Sequence, residues 1–183
     1  MKAAILALFV AVPAQAQAPL PEFATCLDIE NARFERALRR DVAAGVAAFE
    51  AGDVTGAEYC GTVGIVRCDR SAAPYDCQHA LAAEQDALAN AVRALLPAPE
   101  GDPLYQALWA LARDVSAGPD CAGQNEAFTA WCAAREANRR LMSVVLAWQS
   151  ARYLGRVPPA TEAGWADAPP PRRPVARPLA GRD

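Results

Sequence analysis

Apolar residues along this chain recur at helical intervals over four stretches. Leu27, Phe34, Leu38, Val42, Val46 and Phe49 step by three, four or seven positions, which places them on one face of a helix. Thr25 and Asp28 resemble a capping pair at its start, and Gly52 marks a stop. A second stripe, Cys77, Leu81, Leu88, Val92 and Leu95, predicts a helix from about Asp76 to Leu96, closed by Pro97. Asp102-Pro103 reads as an N-cap followed by proline at the first helical position, and Leu104, Leu108, Leu111 and Val115 carry that third helix towards Gly118. The fourth and longest runs from about Asn125 to Leu154, with Phe128, Cys132, Leu141, Val145 and Trp148 facing inward and Gly155 ending it before Pro158-Pro159. Between the first two lies 56–68, where Thr62-Val63-Gly64-Ile65-Val66 has a β-branched, extended look; we read it as a loop. Ala48 to Asp53 resembles the turn of a tetratricopeptide repeat, but no second copy follows at a period of about 34 residues. The pattern predicts an all-α bundle of about four helices.

The two ends differ from this pattern. Lys2, the unbroken apolar run Ala3 to Val12, Pro13 and the small residues Ala14, Ala16 and Ala18 have the form of a secretory signal, with cleavage expected after Ala16. The apolar run is half the length of about 20 residues that a bilayer requires, and no later stretch is long enough, so no transmembrane segment is expected. At the other end, 157–183 contains seven prolines, including Pro169-Pro170-Pro171 ahead of Arg172-Arg173-Pro174. That density excludes helix and strand, and we expect a disordered tail. The expected organisation is a signal peptide over 1–16, one folded domain over 17–156 and the Pro/Arg-rich tail beyond it.

Charge and cysteine content narrow the function. Without 1–16 the chain carries 17 arginines against 21 acidic residues, a net charge of −4, and no lysine. Such a balance argues against a nucleic-acid partner, which needs a basic face, and is compatible with a cationic protein partner. Six cysteines, Cys26, Cys60, Cys68, Cys77, Cys121 and Cys132, follow a secretory signal, so disulfides in a periplasmic or secreted setting are expected. Cys121 and Cys132 close a short step from a Gly-Pro loop onto the last helix and form the favoured pair. If the first helix is intact to Ala51, Cys26 lies about 37 Å from its end, and nine further residues return about 31 Å. Cys26–Cys60 is therefore disfavoured unless Gly45 breaks the helix. No Cys-x-x-Cys spacing exists and His79 is the only histidine, so no metal or other cofactor is expected. With no mature lysine and no nucleophile, phosphate-loop or dinucleotide motif, an enzyme is not expected either. Among the carboxylates, Glu84 and Asp86 diverge on their helix, and Asp114 and Asp120 flank a loop.

One arrangement of motifs remains. Cys68-Asp69-Arg70-Ser71-Ala72-Ala73-Pro74-Tyr75-Asp76-Cys77 leads into a helix carrying Leu88. Trp109-x-x-x-Arg113-Asp114, Cys121 and Cys132-x-x-Arg135-x-x-x-Arg139-x-Leu141 follow. From Cys68 to about Leu146 this resembles the LprI-like lysozyme-inhibitor family, whose members are small secreted or lipid-anchored helical domains. The chain departs from that pattern in the position of Cys121, the short Cys121–Cys132 spacer, and the additional Cys26, Cys60 and first helix. The resemblance implies a Cys68–Cys77 bridge, which would leave Cys60 for the distant Cys26; the pairing of these four stays open. It also implies a periplasmic protein that binds, and inhibits, a cationic lysozyme-type muramidase, without naming the inhibitory contact. A non-catalytic envelope scaffold or adaptor is the alternative. Trp109 and Arg113, four apart, share a helix face; we expect Trp109 in the core and Arg113 paired with an acid.

Overall fold

A computed structural model describes residues 19–45, 54–114, 121–122 and 125–171. The expected signal, the apolar positions Val46, Phe49 and Val115, the stops at Gly52 and Gly118, and the end of the tail lie outside these residues. Among the described residues are five helices, α1 (Phe23–Ala43), α2 (Val54–Asp69), α3 (Pro74–Leu95), α4 (Pro103–Arg113) and α5 (Glu126–Tyr153). No strand occurs among the described residues.

α5 is the axis of the bundle. Its 28 residues span about 42 Å, and α2, α3 and α4 all pack on it. Six alanines, 130, 134, 137, 147, 151 and the half-buried 133, lie along the packed surface and let neighbouring backbones come close, while Leu141, Val144, Val145 and Trp148 fill the volume between helices. Asn125 caps it, its Oδ1 accepting from the Phe128 amide at 2.9 Å. Phe128 itself, expected inward, is 40% exposed. The whole first turn, Glu126 to Phe128, stands clear of the other helices.

The segment expected to be a loop is α2, and the difference has a specific cause. Its buried positions Gly56, Ala57, Cys60, Gly61, Val63, Gly64 and Cys68 carry nothing larger than one valine, so the periodicity of size that reveals a helix is weak. Small residues are required there because α2 is approached from three sides. A Cβ on Gly56 would stand 2.9 Å from Cβ of Glu30 on α1, one on Gly64 would stand 2.9 Å from Leu81 on α3, and one on Gly61 would stand 2.2 Å from the Asn138 side chain on α5. Tertiary packing here overrides the poor helix propensity of glycine and β-branched residues.

α1 differs from expectation at both ends. It begins at Phe23 behind Glu22, which gives no side-chain cap, so Thr25 and Asp28 lie inside the helix. It stops at Ala43, and Gly45 takes the left-handed conformation with φ +72° that glycine adopts without steric cost. This early stop corrects the reach argument against Cys26–Cys60. The pairs Glu22/Arg67, Cys26/Cys60 and Glu30/Gly56 run in opposite directions along α1 and α2, so the helices are antiparallel. Only about 17 Å of axial offset then separates Ala43 from Val54, well within the reach of about 37 Å for the intervening links. All six cysteines are paired, Cys26–Cys60, Cys68–Cys77 and Cys121–Cys132.

Two further corrections concern α4 and the tail. Asp102 Oδ1 accepts from the Tyr105 amide at 2.7 Å, so the cap forms as expected. The buried stripe, however, is Tyr105, Leu108 and Ala112, while Leu104 and Leu111 are exposed. Tyr105 occupies the interior because its hydroxyl finds the Pro97 carbonyl at 2.7 Å; burial raises its pKa above the usual tyrosine value. In the tail expected to be disordered, 157–171 is ordered by turns. Val157, Ala160 and Trp165 are buried, and Trp165 meets Trp148 edge to face at 5.5 Å. The buried indole, with Val157 and Ala160 beside it, docks a proline-rich segment that has no helix or strand of its own.

Candidate functional site

A groove of about 650 Å³ lies between α2 and α5. Glu58, Thr62, Ile65, Val66 and Asp69 form the α2 wall at helical spacing. Trp131, Arg135, Asn138, Arg139 and Met142 form the α5 wall, with Glu136 beside them. The walls stand close at one point because Gly61 leaves room for Asn138. Asn138 is 7% exposed; its Nδ2 faces the Met142 sulfur at 3.7 Å and its Oδ1 has no protein partner.

At one end an aromatic cluster reaches solvent. The guanidinium of Arg135 lies 5.1 Å from the Trp131 ring centre, and Phe128 stands 5.7 Å from the same ring at a tilt of 46°. Trp131 is 36% exposed. Further along, Arg139 pairs with Glu136 at 2.8 Å, and Asp69 accepts from Gln78 of α3 at 2.6 Å. The groove therefore offers aromatic faces, an arginine stacked on one of them, carboxylates and an amide. Such a surface is suited to recognising another protein.

The motif residues do not form one site. Arg135 and Arg139 line the groove. Leu141 is fully buried in the core. Trp109, on α4, is half-buried against the core, and the guanidinium of Arg113 lies 4.1 Å from its ring centre. The contact given to Arg113 is thus an indole where an acid was expected, because a four-residue step on a helix brings the two side chains over each other. Asp114 follows α4 as its exposed C-cap. Of the carboxylates considered for catalysis, Asp86 is held bidentate by Arg140 at 2.8 and 2.9 Å, which raises the Arg140 pKa, while Glu84 lies on a different surface with α1.

Trp131, Asn138 and Met142 escaped sequence reasoning. Their signal was the match between Glu58, Thr62, Ile65 or Val66 and Asp69 on one side and Trp131, Arg135, Asn138 or Arg139 and Met142 on the other, both at steps of three and four, and it is legible only once 54–69 is helical. Among the described residues no helix is long and apolar enough to cross a membrane, and no group of three acidic, histidine or cysteine side chains is placed to hold a metal ion. Compared with models of protein families, with curated proteins and with solved structures, the chain matches none.

Proposed function

We propose that the chain is an extracytoplasmic protein-binding domain directed at a lysozyme-type muramidase, with the α2–α5 groove as its contact face. The observation that carries a binding role is the exposed Phe128–Trp131 pair with Arg135 stacked on it at the mouth of the groove. Tryptophan and arginine dominate interface energetics where they are fixed in place, and both are fixed here by α5. Three disulfides support a location outside the reducing cytoplasm, and the secretory form of 1–16 supports export to the periplasm. The muramidase as target rests on the resemblance of Cys68 to Leu146 to lysozyme inhibitors, two of whose motif residues, Arg135 and Arg139, line the groove. The acidic balance of the chain, net −3 over its full length, would speed encounter with a cationic enzyme.

The test is lysis of a bacterial cell-wall suspension by lysozyme in the presence of the purified domain. Wild-type protein should slow lysis in proportion to its concentration, and Trp131→Ala with Arg135→Ala should abolish the effect while thermal unfolding stays near wild type. Unchanged lysis at high micromolar wild-type protein would overturn the muramidase as target. Full inhibition by the double variant would overturn the groove as contact face.

A further inference from the structure

We propose that a second recess, between α1, α3 and the C-terminal segment, receives a basic side chain, arginine above lysine, from a peptide segment of a protein partner. The recess measures about 250 Å³. Phe23, Leu27, Leu88 and Trp165 supply an apolar floor, and Asp28, Glu84 and Asp167 stand around it. These carboxylates come from three separate parts of the chain, and the fold brings them together only because 157–171 docks on the bundle. The Asp167 amide donates to Asp28 Oδ1 at 2.9 Å, which fixes the rim.

Electrostatics and shape select the same ligand. Glu22, next to Glu84, adds a fourth carboxylate, and Arg67 of α2 is the guanidinium that opposes it. Burial raises the pKa of both Asp28 and Glu84; Glu22 adds to the shift at Glu84 and Arg67 opposes it, while at Asp28 the hydrogen bond from the Asp167 amide opposes it. An arriving cation relieves that cost. A bare metal ion does not suit the recess, since no three of these groups are close enough to share one. An arginine does, because its aliphatic stem covers apolar surface while its planar head stacks on an aromatic ring and bonds carboxylates. Independently of the carboxylates, Trp165 lines the recess, is 8% exposed, and its indole N–H has no acceptor in the protein. A peptide ligand brings backbone carbonyls for such a donor, which a free polyamine lacks.

The inference does not depend on the muramidase reading, and the experiment contains no enzyme. N-acetyl-arginine amide is titrated into the full-length protein while the Trp165 indole resonance, assigned with Trp165→Phe, is followed by NMR. N-acetyl-citrulline amide, neutral and of the same shape, is the control. The expected result is a saturable shift with the arginine probe, at least about tenfold weaker with citrulline and in Asp28→Asn with Glu84→Gln, as loss of charge-assisted hydrogen bonds implies. Glu84→Gln alone, at an exposed position, should weaken binding and leave the other indole resonances in place, which separates loss of charge from loss of fold. Trp131→Ala with Arg135→Ala should bind the probe as wild type does. Equal shifts with the two probes, or no saturation with arginine, would overturn the proposal. Tighter binding in Arg172→Gln with Arg173→Gln would also overturn it, by assigning the recess to the chain's own arginines.

Discussion

Replacing Cys26 and Cys60 together by alanine should be the most damaging removal of a disulfide in this protein. The bridge closes 34 residues, against 9 for Cys68–Cys77 and 11 for Cys121–Cys132. Loop-closure entropy at 25 °C then gives about 3.8 kcal/mol for the first and about 2.6 and 2.8 kcal/mol for the others. Packing adds to the difference, because Cys26 and Cys60 both belong to the buried core, whereas Cys77 and Cys121 are only half-buried. The loss should also be local. Cys26–Cys60 is the covalent hold on α1, which otherwise keeps the Glu22–Arg67 and Glu35–Arg152 ion pairs, the Asp28–Asp167 hydrogen bond and its packing on α2. Urea unfolding of the three double-alanine variants measures the ranking, and amide hydrogen exchange locates it. Amides of α1 should exchange faster in Cys26→Ala with Cys60→Ala while those of α5 stay protected below the unfolding transition. A Cys68→Ala with Cys77→Ala protein that is equally or more destabilised would refute the loop-length reasoning, and unchanged α1 exchange would refute the assigned role in holding that helix.

Gly61→Ala should cost about 1–3 kcal/mol through overpacking, since its Cβ would meet the Asn138 carboxamide at 2.2 Å; adding Asn138→Ala should recover part of the loss, and additive effects of the two changes in urea would rule out the contact as the cause. Trp165→Ala should lower stability by about 3–5 kcal/mol, and an unchanged thermal midpoint would detach the C-terminal segment from the core. Asp102→Ala should cost about 1 kcal/mol by removing the α4 cap, seen as a lower urea midpoint with unchanged slope; a midpoint at the wild-type value would show the cap to be dispensable. Burial raises the Asp28 pKa above 3.8, against the opposing hydrogen bond from the Asp167 amide, so the folded state holds this proton more tightly than the unfolded chain. Its ionisation therefore weakens the fold as pH rises from 3.8 through the folded value. Asp28→Asn, which keeps an acceptor for that amide, should gain stability over wild type above this window and lose the gain below it; a difference independent of pH between 3 and 7 would contradict the assignment.

Much of the helical frame was legible because its signals are local. Asp102-Pro103 opens α4 and Gly155 follows the end of α5, as a cap and a stop should. The stripe through Leu81 and Val92 marks α3 as it is found. What escaped depends on contacts distant in sequence. α2 shows no stripe of large residues because its neighbours fill the space that its own glycines vacate. The end of α1 turned on a choice between Gly45 and Gly52, and periodicity through Val46 and Phe49 favoured the wrong one. Trp165 is the one aromatic residue of a proline-rich tail, and only the position of Trp148 on another element gives it a ring partner. The groove followed the same logic: with α2 read as a loop, Trp131 and Asn138 had no opposite wall.

The order of the disulfides bears on how the molecule is made. Numbered along the chain, the cysteines join first to second, third to fourth and fifth to sixth. As the chain emerges from its N-terminus, each odd cysteine meets its proper partner as the next sulfur to appear. An oxidant that joins sulfurs in order of appearance makes the native set directly, with no thiol exchange to correct it. All four cysteines of the first two bonds precede the first residue of α5, so both can close before that helix has arrived. A covalent frame of α1, α2 and α3 can thus precede the helix around which it closes, and α5 with the segment that follows it would then pack onto a scaffold already tied.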